Sequence, residues 1–292
     1  MDLATLGALC ALGSAVAWAL TSLLVRSLTP HFGTVTINAA RTTLCALLIA
    51  AWVAAVGEFD GLAAVSPRSL VLLFVSIVMA IAVGDTIFFE STRMLGVGRA
   101  MTLSMSYPVV ASVLAAVVLH ERITAQIAVG GLVTLGGLAL VVATRSDAGM
   151  LPGSWRGIGA ACAAALAWGT SVVALRVPLA EMDALTAQLV RLPLAAALLW
   201  AMPWSWRDAP ALVRGGGHVA LRLGALSVLT AVSSVMYVLA IKHAGVAVAT
   251  VLSSTAPLFA VPLGVVFLGE RLPPVAMLGT AVAVVGVVVL KL

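Results

Sequence analysis

Arg41, Asp85 and Arg191 lie inside long apolar stretches, where insertion of a charged side chain costs roughly 2.5–3.5 kcal/mol, so each needs a partner, water or a route to the interface. Arg41 and Arg191 stand about two turns into their stretches. From there a long side chain can snorkel to the surface, join a structural ion pair or bind a ligand carboxylate. Asn38 and Gln188, one turn earlier, add polar surface to the same helix faces. Asp85, in Ile81-Ala-Val-Gly-Asp85-Thr-Ile-Phe-Phe-Glu90, has two roles open to it. It can take up and release a proton, its affinity raised by desolvation, or it can stay charged beside Arg41. Glu90 falls near the end of that stretch, where an interfacial charge is the default.

Trp18 and Trp168 fall past the middle of their stretches. A pair of indoles at that depth can wall a site for flat apolar groups or simply pack helix on helix. Small residues spaced by four, Ala11, Ala15 and Ala19 with Ala161, Ala165 and Gly169, would let those two helices approach closely. Trp52, Trp155, Trp200, Trp204 and Trp206 stand at or beyond stretch ends, as an aromatic belt does. Pro108 and Pro257 each remove a backbone bond and press on the carbonyl four residues earlier, Ser104 and Ser253, within Ser104-Met-Ser-Tyr107-Pro108 and Ser253-Ser-Thr-Ala-Pro257. Such kinks expose carbonyls and hydroxyls to a cavity or act as hinges; alternatively, Ser and Thr merely heal a tolerated kink.

Catalytic chemistry has no foothold. HExxH, GxSxG, paired-aspartate and Walker A patterns are missing, so no enzyme, no cofactor and no direct use of ATP is expected. Cys10, Cys45 and Cys162 are isolated in apolar segments without metal-ligand spacing, which reads as free buried thiols with no metal.

The elements that must position these residues follow from solvation. The 292 residues are 62% hydrophobic and 9% charged, with a mean hydropathy of +1.18, where soluble chains carry about a quarter charged residues. Ten apolar stretches follow one another, at 6–25, 34–56, 70–90, 100–119, 125–144, 157–176, 184–203, 219–241, 246–268 and 274–290. Their continuity, without period-2 alternation, predicts helices rather than barrel strands, so the fold expected is an all-α membrane protein of ten transmembrane helices. Connections are too short for a soluble module; the longest are 57–69 and 204–218.

The chain also repeats itself. Trp18, Arg26 and Arg41 match Trp168, Arg176 and Arg191 at an offset of 150; Gly96, Pro108, Glu121 and Arg122 match Gly245, Pro257, Glu270 and Arg271 at 149. Two five-helix units, 1–146 and 147–292, are implied. Since five is odd, the second unit must enter the membrane inverted, the arrangement from which secondary transporters build a shared midplane site that opens to each side in turn. His120-Glu121-Arg122 and Gly269-Glu270-Arg271 close the fourth and ninth stretches; they mark the water boundary, or their Glu caps a following helix start.

The net charge of +5 would point to nucleic acid in a soluble protein, but here the basic residues punctuate helix ends, so no nucleic-acid partner is expected. Ala15-Val16-Ala17 resembles a cleavage site, yet the start carries Asp2 and no Lys or Arg, and the stretch recurs mid-chain. It reads as a retained helix. Basic residues at connections opposite the termini number nine, against five on the terminal side, which by the positive-inside rule places the termini outside. Small-residue faces serve packing within one chain as well as between chains, so no oligomeric state follows.

In the arginines Arg41 and Arg191, the turn Ala240-Ile-Lys-His-Ala-Gly-Val246 with its weaker copy Ser91-Thr-Arg-Met-Leu-Gly-Val97, and the segments Tyr107-Pro-Val-Val to His120-Glu-Arg and Ala256-Pro-Leu-Phe to Gly269-Glu-Arg, the chain resembles the ten-helix EamA branch of the drug/metabolite transporters over nearly its whole length. The resemblance implies a cavity lined by the first four helices of each unit, export of amino acids or related metabolites across a bacterial inner membrane, and cytoplasmic termini, against the basic-residue count. It also suggests an aromatic amino acid exporter, since Trp18, Trp168, Phe88, Tyr107 and Tyr237 could line the cavity.

The expected partners are therefore a small-molecule substrate and the lipid bilayer, with proton coupling through Asp85 open. An exporter of drugs, polyamines or other organic cations is the alternative, with Asp85 and aromatic faces as binding groups. A receptor or scaffold without transport would leave the paired kinks and the repeat unexplained. Substrate choice and coupling are expected where the repeat breaks its symmetry: Asp85 against Ser234, Tyr107 against Ala256, and Pro193 against Thr43.

Overall fold

A computed structural model describes residues 2–56, 65–118, 125–143, 154–270 and 273–289. Among them every element is helical. In chain order these are α1 (Leu3–Leu28), α2 (Thr34–Val56), α3 (Pro67–Ile77), a π-helical stretch (Val78–Asp85), α4 (Thr86–Leu95), α5 (Val97–Ser104), α6 (Tyr107–Val118), α7 (Ala125–Ala143), α8 (Ser154–Arg176), α9 (Pro178–Glu181), α10 (Ala184–Ala201), α11 (Pro203–Trp206), α12 (Ala209–Arg214), α13 (Gly216–Ser253), α14 (Ala256–Leu268) and α15 (Pro274–Val289). Seven described helices are long and apolar enough to cross a membrane, and Val129–Leu140 and Pro274–Val289 are shorter apolar helices. The protein is an all-α, multi-pass membrane protein.

Helix starts follow local sequence. Asp2 accepts from the Thr5 N–H at 2.8 Å, Ser66 from the Ser69 N–H at 3.2 Å just before Pro67, and Asp183 from the Leu185 and Thr186 N–H groups at 2.8 and 2.9 Å. Each supplies an acceptor to a first turn whose N–H groups have none inside the helix.

One expectation about elements needs correction. The fourth and ninth spans are broken rather than merely kinked: α5 ends at Ser104 and α6 begins at Tyr107, and α13 ends at Ser253 before α14 begins at Ala256. Proline lacks the N–H that would bridge the break, and the Ser106 and Thr255 hydroxyls donate back to the Leu103 and Leu252 carbonyls at 2.7 and 2.6 Å. The turn expected at 240–246 falls inside the range of α13, between the spans Gly216–Ala244 and Val248–Leu268. The chain doubles back there, for along α1 it meets Ser14 at Ser233, Gly7 at Ala244 and then Ala11 at Ser253. Finally, the connection 204–218 holds the short helices α11 and α12.

The helices interleave across the repeat. α1 lies along α13 and also against α14, and α8 lies along α3, α4 and α6. The small residues of α1 and α8 therefore admit helices of the opposite unit, not each other as expected from spacing. α2 packs on its own counterpart α10, and α7 on α15. The α7–α15 contact is reciprocal: a Cβ on Gly137 would stand 2.3 Å from the Ala283 nitrogen, and one on Gly286 would stand 2.3 Å from the Thr134 nitrogen. Backbones this close require glycine.

Cys10 and Cys45 are buried, whereas Cys162 is exposed on α8, contrary to expectation. A thiol is apolar enough for a lipid-facing position. Trp52, Trp155, Trp204 and Trp206 are exposed near helix ends, and Trp200 donates to the Thr43 hydroxyl at 2.8 Å. His120-Glu121-Arg122 and Arg271 lie outside the described residues.

Glu270 is a cap that reaches across the repeat. Its carboxylate accepts from the Val97 and Gly98 N–H groups at 2.6 and 3.2 Å, at the start of α5, where Gly96 takes a φ of 82°. A negative charge there meets the positive end of the helix.

Candidate functional site: a charged aromatic cavity between the repeats

The site begins with the π-helical stretch. A π turn carries its carbonyls off the regular α path, and here side chains from neighbouring helices take them. Trp168 on α8 donates its indole N–H to the Ala80 carbonyl at 3.2 Å, and Asn38 on α2 donates to the Ile81 carbonyl at 2.9 Å and to the Thr86 hydroxyl at 2.7 Å. Asp85 closes this stretch.

Asp85 is buried, and both its oxygens are engaged: one accepts from Arg41, the other from the Trp168 indole at 3.0 Å. Arg41 is wholly buried. Besides Asp85 it donates from Nε to the Asn38 amide oxygen at 2.9 Å and from a terminal nitrogen to the Thr230 hydroxyl at 3.1 Å. Its guanidinium lies 4.7 Å from the Phe89 ring centre and 5.8 Å from that of Trp18. Snorkelling is thereby excluded for Arg41. A buried carboxylate, two neutral acceptors and two rings stabilise the charge where it is.

Arg191 also turns inward, at 6% exposure. It donates to the Gln188 amide oxygen and the Ser76 hydroxyl, each at 3.2 Å. Its Nε is buried without a partner among the described residues, and none of their carboxylates lies within ion-pair distance of it.

These groups surround a cavity of about 160 Å³. Of the expected site residues, Trp18, Arg41, Asp85, Tyr107, Trp168, Gln188, Arg191, Tyr237 and Ser253 line it. Asn38, Phe88 and Ser104 stand behind the wall. Phe88 is fully buried, with its ring centre 5.7 Å from that of Trp18 and 5.1 Å from that of Trp168, so it fixes the two indoles. Ser104 donates to the Ala161 carbonyl at 3.2 Å, and its repeat partner Ser253 donates to the Ala11 carbonyl at 3.5 Å. Both serines thus tie a broken helix of one unit to a helix of the other. Pro108 and Pro257 begin the second halves of those broken spans.

The tryptophans meet edge to face, with centres 5.7 Å apart. Tyr107 packs edge-on against Trp168, with ring centres 6.3 Å apart, and its hydroxyl lies 3.1 Å from that of Tyr237. Trp18 keeps a buried indole N–H without a partner among the described residues. Spacing alone did not single out Ser14, Ser76, Ser171, Thr230 and Ser233, which line the cavity or hold its arginines. Their signal was polar residues recurring within apolar helices, weak because each also bonds to backbone in ordinary helices. Among the described residues no group of His, Cys, Asp and Glu is placed to hold a metal ion.

A bundle whose two halves share one polar-and-aromatic cavity is a small-molecule transporter architecture. The chain matches the EamA-like transporter family twice, over residues 5–143 and 155–292, and belongs to that family. A solved crystal structure shares the fold over 97% of this chain and 95% of its own, with a TM-score of 0.70 and 20% sequence identity. No curated protein matches the chain.

Proposed function

We propose that this protein is a secondary transporter that exports amino acids, aromatic ones favoured, or related metabolites across a bacterial inner membrane. The observation that carries the reading is the cavity walled jointly by repeat-related groups, Trp18 with Trp168 and Arg41 with Arg191, beside two matched helix breaks. In this reading the units 1–146 and 147–292 are inverted, the termini are cytoplasmic, and the breaks at Ser104–Tyr107 and Ser253–Ala256 are where the units rock to open the cavity to alternate sides. Aromatic walls suit a flat side chain.

Organic cations fit less well. Asp85 is the one carboxylate in the cavity wall among the described residues, and Arg41 and Trp168 already occupy it. With two guanidiniums present the cavity carries a net positive charge, which repels a polyamine. The same engagement makes Asp85 an ion-pair partner rather than a proton carrier. The test is a flux screen in proteoliposomes over the common amino acids, with a polyamine and a quaternary ammonium compound included. Uptake of Phe, Tyr or Trp above protein-free vesicles is the expected result; movement of the cations alone overturns the reading.

A further inference from the structure

We propose that Arg191 anchors a substrate carboxylate, so that the cavity takes small acids and zwitterions and refuses their amides and amines. This rests on the transporter reading and adds to it the chemical group recognised and the residue that recognises it.

The two arginines match in sequence but not in circumstance. Arg41 is engaged at every nitrogen: its Nε and both terminal nitrogens donate to Asn38, Thr230 and Asp85, and two rings cover it. Among the described residues Arg191 has only neutral acceptors, Gln188 and Ser76, and a buried Nε with none. The reason is visible in the repeat, where Ser234 stands in the second unit at the place of Asp85 in the first. The Ser234 hydroxyl donates to the Ala231 carbonyl at 3.0 Å, and its own carbonyl accepts from Gln188 at 3.0 Å, so it contributes no charge. A buried cation without a counter-ion is costly, and a ligand that brings a carboxylate removes that cost. Guanidinium offers paired donors that match a carboxylate and nothing that an ammonium or an amide N–H could use.

Other groups on the wall agree. Trp18 presents an unsatisfied indole N–H, and the Tyr107–Tyr237 pair presents hydroxyls. The indole can donate to an acid oxygen directly, and a tyrosine can once its hydroxyl turns from its present partner. A cavity of about 150 Å³ holds a benzene ring; at about 160 Å³, this one holds a ring or a small acid, and an aromatic acid fills it only as the walls part.

The test uses the full-length protein in detergent with four probes: 3-phenylpropionate, its isosteric amide 3-phenylpropanamide, phenethylamine and L-phenylalanine. Tryptophan fluorescence gives dissociation constants, since Trp18 and Trp168 line the cavity. The acid is expected to bind at least roughly tenfold more tightly than amide or amine. Arg191→Gln should weaken the acid roughly 10- to 100-fold and the amide, whose carbonyl is a neutral acceptor, distinctly less. Ser234→Asp should do the same by supplying an internal counter-ion. If Arg191→Gln does not fold, the wild-type acid-to-amide ratio and Ser234→Asp decide. Equal affinity for acid and amide, undetectable binding of the acid at millimolar concentration, or unchanged acid affinity in the variants would overturn the anchor. Arg191-dependent acid binding without phenylalanine flux sinks the amino acid reading alone; phenylalanine flux with unchanged affinity in Arg191→Gln sinks the anchor alone.

Discussion

Trp168 in the second unit holds Asp85 in the first, its indole N–H reaching the carboxylate at 3.0 Å and the Ala80 carbonyl at 3.2 Å. The bond crosses the repeat at the end of the π-helical stretch. It makes Trp168 both a wall of the cavity and the keeper of its one engaged acid. Trp168→Phe retains the ring contacts with Phe88 and Tyr107 but removes the donor. A loss of about 1–3 kcal/mol in stability follows from the two acceptors left short. It is read as a lower unfolding midpoint in detergent, and an unchanged midpoint would mean that water or another donor replaces the indole.

Arg41 and Asp85 make the second prediction. Removing one member of a buried pair strands the other, at a cost of about 3–5 kcal/mol, whereas replacing both by apolar residues of similar size is often neutral. Arg41→Met and Asp85→Leu should therefore each lower the unfolding midpoint markedly, and the double variant should recover much of the loss. Additive losses would show that Asn38, Thr230 and Trp168 matter more than the pair.

Backbone contact between α7 and α15 gives a sharper contrast. Gly137 stands where a Cβ would meet Ala283 backbone at 2.3 Å, while its neighbour Gly136 meets nothing within 4 Å. Gly137→Ala should lower stability by about 1–3 kcal/mol by forcing the helices apart. Gly136→Ala should be neutral or raise it by up to about 1 kcal/mol through helix propensity. Thermal unfolding of both variants compares them directly.

Much of this was legible in the sequence because it is a matter of solvation and symmetry. Apolar length set the spans, and scarce letters such as Trp18 and Arg41 found their partners at a fixed offset. What was not legible depended on which helices touch. Spacing put the small residues of α1 against those of α8, but both faces admit helices of the other unit, since small residues permit close approach without naming a partner. Arg41 and Arg191 looked able to snorkel because depth in a helix says nothing of acceptors on the next one; Thr230 and Ser76 settle the direction. The π-helical stretch left no mark in the apolar letters of Val78–Val83. The doubling back within α13 was legible, because the turn at 240–246 repeats the one at 91–97 in the first unit.

The Asp183 cap predicts a pH dependence. Burial pushes this carboxyl up, but the Thr186 hydroxyl and the Thr186 and Leu185 N–H groups outweigh it, with Lys242 adding a smaller pull, and leave it below its usual 3.8. A depressed carboxyl contributes stability above its unfolded value and loses it as pH falls through the folded one. Asp183→Ala should cost about 1 kcal/mol at neutral pH, as lost helix caps do. The gap between variant and wild type should begin to narrow below about pH 4 and close as pH falls through the lowered folded value. A gap that persists in acid would mean that Asp183 acts by packing.

Asp85→Asn separates the ion-pair role from proton carriage. Asparagine keeps the shape and can still accept from Trp168, but it leaves Arg41 without a counter-ion inside the bundle. If Asp85 serves the pair, the variant should lose substrate counterflow, measured without a pH gradient, and gradient-driven uptake by the same factor, because both need an intact cavity. A proton carrier behaves otherwise: counterflow survives, since exchange moves no net proton, and only the response to the gradient disappears. Both fluxes are measured in one proteoliposome preparation at matched protein density. Retained counterflow with an abolished gradient response would overturn the ion-pair assignment and make Asp85 the coupling residue.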